Sequence, residues 1–120
     1  MDNALRHNGR IVGKMDGRTF VRRVDPARHM LRRPAAWAHD DALLDRLTRA
    51  GCTGIRIEAV DGSGVWWAPL DVIRSKGFAV GRAGWPAQTA LTLENWAGVE
   101  VRAATADDVA TMLDAIGGAA

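Results

Sequence analysis

The chain has a single cysteine, no tyrosine, only two phenylalanines and only two lysines among 120 residues. One cysteine, Cys52, excludes an intramolecular disulfide and suits a reducing compartment. Its simplest role is that of a small apolar residue just after a helix. No apolar run approaches the roughly 18 residues that a membrane span needs. The first ten residues, MDNALRHNGR, have no apolar stretch of the signal-peptide kind. The expectation is a cytoplasmic protein with no membrane partner.

Several chemical signatures are missing as well. Nothing resembles GxxxxGK[ST], or GxGxxG ahead of a helix, so no phosphate-cradling glycine loop is expected. No zinc-type spacing accompanies the one cysteine, and no bound metal or other cofactor is expected. His39-Asp40 has the residue types of a metal-binding pair, but Asp40 is more simply a helix cap. Glu58 and Asp61 lie three apart without the following lysine that a magnesium-dependent nuclease would offer. Ser63 lies in Asp61-Gly62-Ser63-Gly64, which is turn chemistry rather than a nucleophile elbow. No catalytic residue is assigned, and the chain reads as non-enzymatic. A catalytic reading would need His29 and His39 to converge with a carboxylate in a pocket.

What the chain does have is arginine, unevenly spread. Residues 1–33 hold nine basic groups: Arg6, Arg10, Lys14, Arg18, Arg22, Arg23, Arg28, Arg32 and Arg33. Three acids, Asp2, Asp16 and Asp25, accompany them, leaving this third at +6. Residues 34–120 sum to −4, so the net charge of +2 conceals two oppositely charged parts. Such asymmetry suggests a polyanionic partner. Fourteen of the sixteen basic residues are arginine, whose planar fork binds phosphate or carboxylate through two hydrogen bonds. GC-rich coding also raises arginine, alanine and glycine, so the clustering carries more weight than the bias.

An apolar fraction of 48% is an ordinary globular value, and 120 residues suit one domain with one core. Residues 1–8 and 117–120 are expected to be flexible, and 9–33 to form a basic hairpin and short helix. Ile11 to Met15 and Arg18 to Val24 read as strands about Asp16-Gly17. Phe20, Arg22 and Val24 share one parity, so Arg22 and Arg23 point to opposite faces. Asp25-Pro26 opens a helix that must stop by Arg33, ahead of Pro34. On it, Arg28 and Arg32 would lie one turn apart.

Pro34 to His39 reads as a connector carrying Trp37. Asp40 caps a helix over 41–50, with Leu43, Leu44, Leu47 and Ala50 as its apolar stripe and Gly51 as its stop. Asp45 and Arg49 are placed to pair. Gly54 to Val60 and Val65 to Ala68 form a second hairpin; a two- or four-residue loop puts Trp66 on the Ile55/Ile57 face and Trp67 on the Arg56/Glu58 face, and a three-residue bulged loop would reverse this. A short helix over 69–76, a short strand over 78–80, a loop over 81–88, strands over 90–96 and 99–103, and a helix over 106–116 complete the order. The expected class is α+β: a mostly antiparallel sheet of about five or six strands with two hairpins, packed by two main helices plus short ones.

Five tryptophans are many for this length. Trp37, Trp66, Trp85 and Trp96 are expected in the core. Trp67, placed among polar neighbours, is the candidate surface aromatic for stacking on a base. The leading expectation is an accessory domain that binds nucleic acid electrostatically with weak sequence preference. Arg22, Arg23, Arg28, Arg32 and Arg33 would contact phosphates, and Trp67 would offer the stacking surface. The alternative is a protein-interaction or assembly module. Its basic third would meet an acidic protein surface or a second copy of the chain, giving a homo-oligomer.

Overall fold

The structure, a computed structural model, describes residues 3–81 and 83–100. The helix expected over 106–116, the tail 117–120 and the end of the strand expected over 99–103 lie outside these residues. Among the described residues the chain forms ten strands in two sheets and three α-helices. This is roughly an α+β arrangement in which strand dominates, with more strands than the five or six expected.

The first hairpin joins β2 (Arg10–Asp16) to β3 (Thr19–Val24), and Gly17 takes the turn at φ 60°, where a side chain would be strained. Ahead of it, Ala4–His7 form β1, antiparallel to β2. The expectation of a loose segment over 1–8 is therefore corrected at these four residues. β2 gives β1 its hydrogen bonds, and the Arg46 guanidinium donates to the Arg6 carbonyl.

Asp25 caps α1 (Pro26–His29) by accepting from the Ala27 N–H at 3.0 Å. This helix ends at His29 rather than near Arg33. Met30 turns extended, and β4 (Leu31–Arg32) pairs back on β5 (Ala35–Asp40) through a cis Arg33–Pro34 bond. Arg28 and Arg32 therefore do not share a helix face. The expected connector carrying Trp37 is the strand β5, paired over its length with β9 (Gln88–Thr92).

Helix α2 (Asp41–Arg49) buries Leu43, Leu44 and Leu47 as its spacing predicts, and Gly51 follows it at φ 80°. Asp45 pairs with Arg74 at 2.6 Å instead of with Arg49. Strands β6 (Gly54–Ala59) and β7 (Gly64–Pro69) form the second hairpin with the two tryptophans on the expected faces, Ile57 opposite Trp66 and Arg56 opposite Trp67. In its turn, Asp61 accepts from the Ser63 N–H at 2.9 Å. Helix α3 (Leu70–Lys76), β8 (Phe78–Val80), β9, a single 3-10 turn over Leu93–Asn95 and β10 (Ala97–Glu100) follow.

The larger sheet runs β1-β2-β3-β6-β7-β10 and the smaller β4-β5-β9-β8. All neighbours are antiparallel except β3 and β6, which lie parallel. The two sheets meet where Trp66 of the larger packs against Trp37 of the smaller, with ring centroids 5.3 Å apart. Phe20, Ile55, Ile57, Leu44, Leu47, Ile73 and Leu91 belong to the same buried cluster. Trp37, Trp66 and Trp96 are core residues as expected, but Trp85 is 63% exposed and is not. Among the described residues, no helix is long and apolar enough to cross a membrane.

Candidate anion-binding site

Strand alternation decides where the arginines of β3 go. Phe20, Arg22 and Val24 face the smaller sheet, opposite Ile55, Ile57 and Ala59 of β6, whereas Arg23 is exposed on the other face. Arg22 is thus an arginine at a core position. Its Nη1 lies 2.8 Å from His39 Nε2 and 3.5 Å from the Ala38 carbonyl of β5. Among the described residues it has no carboxylate within ion-pair distance. Burial pushes its pKa down to about 10, with the more distant Asp40 pulling the other way, so the group remains a cation at neutral pH.

His39 is 2% exposed. Burial first, and the Arg22 charge second, hold its pKa well below the ordinary value, so the ring is neutral. A guanidinium can only donate, hence Nε2 is the acceptor and the ring proton sits on Nδ1. That buried Nδ1–H has no hydrogen-bond acceptor among the described residues.

Asp40 ends β5 and precedes α2. Its side chain makes no capping bond to that helix, contrary to the cap expected of it. Instead Oδ1 accepts from Gln88 Nε2 at 3.2 Å, and Oδ2 lies 3.6 Å from His7 Nε2 of β1.

These groups line one cleft. β2 pairs with β3 only over Lys14–Asp16, and its first half, Arg10–Gly13, pairs with β1 alone. The hairpin therefore splays, and a cleft of about 360 Å³ opens beside Arg22–Val24. His7, Arg10, Arg22, Arg23, His29, His39 and Asp40 are its ionisable lining, so all three histidines of the chain meet there. A second opening of about 570 Å³ adjoins it and shares Ile11, Val12 and Arg23. It adds Lys14, and among the described residues no acid lines it.

The histidines and a carboxylate do converge, as a catalytic reading would need. The lone pair of His39 is committed to Arg22, however, which removes it as a proton acceptor. Among the described residues, no group of three or more His, Cys, Asp or Glu side chains is arranged to hold a metal ion. The Cys52 thiol is buried, its pKa raised by that burial, and it donates to the Gly54 carbonyl.

Of the residues singled out from the sequence, Arg22 and Arg23 line the cleft. Arg28 is exposed on α1 beside the cleft residue His29. Arg32 and Arg33 are exposed on the β4–β5 hairpin and line neither opening. Trp67 lies on the Arg56 face but is only partly exposed. A Cβ on Gly54 would stand 2.9 Å from its Cζ2, so the indole lies over a space that only glycine leaves. Its Nε1 is enclosed without a partner among the described residues. Sequence reasoning missed His7 and Arg10, and raised His39 and Asp40 only as metal or catalytic candidates. The available signal was the parity that puts Arg22 with Phe20 and Val24, and His39 with Trp37. Compared with protein-family models, curated proteins and solved structures, the chain matches none of them.

Proposed function

We propose that this chain binds the sugar-phosphate backbone of a nucleic acid along the splayed β1–β3 face. The observation that supports this reading is the pair of adjoining openings. They share Arg23, and together, among the described residues, they gather Arg10, Lys14, Arg22 and Arg23 against a single carboxylate, Asp40. A polyanion laid across both would meet successive cations. Arg28, Arg32 and Arg33 extend the positive surface at the α1–β4 end and act on encounter. Trp67 has no stacking role in this reading, because its indole already lies against the sheet. Binding is electrostatic and weakly sequence-specific.

Fluorescence anisotropy with labelled single-stranded DNA, duplex DNA and RNA across a salt series tests the reading. Four phosphate contacts give a slope of log affinity against log salt of about −3 on single strands. Lys14→Ala or Arg23→Ala lowers the magnitude of that slope by about 0.7. Arg49→Ala, a charge lost from the far end of α2, leaves it unchanged. Absence of binding at low salt, or equal losses from Arg49→Ala and Arg23→Ala, refutes it.

A further inference from the structure

We propose that the cleft between β1, β3 and the β5–α2 junction is a site for one phosphate monoester dianion. It rests on the nucleic-acid reading for the strand that would carry the phosphate, but not for the phosphate itself. Arg22 supplies the first argument. A largely buried cation without a counter-ion is costly, and among the described residues Arg22 has an imidazole and a carbonyl but no carboxylate within ion-pair distance. An anion entering the cleft completes the pair.

Unused hydrogen bonds point the same way. His39 Nδ1–H is buried without an acceptor among the described residues. Arg10 and Arg23 add forked donors at the rim. Walls rich in donors and poor in acceptors suit a ligand that is all acceptor. Three guanidiniums against one carboxylate leave two net positive charges among the arginine and aspartate lining. A phosphate monoester carries about −1.5 to −2 at neutral pH, whereas a carboxylate would neutralise only half of the excess. A volume of about 360 Å³ lies at the small end for ligand pockets, enough for a phosphate with a small substituent. Two sources share this chemistry: the phosphorylated end of a strand, and a free phosphate or mononucleotide.

The test titrates inorganic phosphate into the full chain at constant ionic strength, against chloride, with NMR of the Arg22 Nε–H and the histidine rings. Saturable shifts at Arg22 and His39 are expected, weakened about tenfold or more by Arg22→Lys. Arg10→Ala, exposed on the rim, gives the same answer without altering the core, and Arg49→Ala has no effect. One oligonucleotide with a 5′-phosphate, a 3′-phosphate or hydroxyl ends then separates the sources. A phosphorylated end that binds about tenfold tighter, with the gain lost in Arg22→Lys, assigns the site to a strand end. Phosphate binding with no end preference assigns it to a free phosphate compound. Strand binding without any phosphate-dependent shift overturns the site and keeps the nucleic-acid reading. Phosphate binding without strand binding does the reverse. Shifts that persist undiminished in both Arg22→Lys and Arg10→Ala overturn the site.

Discussion

Acidification from pH 7.5 to 5 should destabilise this protein through His39, and the size follows from the geometry. His39 is 2% exposed, its Nε2 takes the Arg22 Nη1 proton at 2.8 Å, and both burial and the Arg22 charge oppose protonation. Asp40, the adjoining acid, spends its oxygens on Gln88 and His7. The folded-state pKa is therefore depressed well below the ordinary 6.5. Above 6.5 both folded and unfolded states hold the ring neutral, and His39 adds no pH dependence. Below it the unfolded chain takes up a proton that the folded chain refuses. Stability then falls by about 1.4 kcal/mol for each pH unit over which the folded ring still refuses that proton. Urea denaturation at a series of pH values measures this, since a loss of that size moves the midpoint by about 1 M. In His39→Gln the amide oxygen can still accept from Arg22 but cannot titrate, so its profile should be flatter by that amount. Equal losses in the parent and in His39→Gln would refute the assignment of a buried neutral imidazole.

Two further predictions concern the core that holds the site. Trp37→Ala should cost about 3–5 kcal/mol, because the ring is 1% exposed and joins the two sheets against Trp66. Val60→Ala, at a position 53% exposed, should stay within about 0.5 kcal/mol, and thermal or urea melts compare the two. Gly64→Ala should cost about 1–3 kcal/mol, since its Cβ would stand 2.5 Å from the buried Trp66 ring. At Gly81 a Cβ meets nothing within 4 Å, so Gly81→Ala serves as the control, and equal melting points would count against the packing described.

The parts of this fold legible in the sequence are those set by neighbours in the chain. Asp16-Gly17 fixes the first hairpin, Asp25-Pro26 fixes the start of α1, and the leucine stripe of α2 follows the helical period. Parity with an even loop places Trp66 on the Ile57 face and Trp67 on the Arg56 face, and the pairing of strands sets which residues stand opposite. The parts not legible depend on distant partners. Nothing in Ala-Leu-Arg-His signals β1, which exists because β2 offers it an edge. Ala35–Asp40, short of β-branched residues, becomes a strand because β9 pairs along it. The parallel pairing of β3 with β6 spans α1, β4, β5 and α2, and loop closure over that separation leaves no local trace.

For the site, the difference between reading and structure lies in what parity was asked. Alternation separates Arg22 from Arg23, and by the same step places Arg22 among core residues. A leucine there would fill the space between Phe20 and Val24 without the desolvation cost of a charge. An arginine instead needs polar company, and strand β5 brings it where Trp37 and His39 share a face. Counting arginines as one surface cluster hides this, because it treats a buried cation and an exposed one as the same charge. Energetically they differ. Exposed Arg28, Arg32 and Arg33 are screened by water and salt and can do little alone. Arg22 sits where screening is weak, so an anion that reaches it gains more from one contact than from several at the surface. In the proposed reading the basic third of the chain would contribute attraction over a broad face, while selectivity for the anion would rest on Arg22 and the groups that β5 and β1 bring to it.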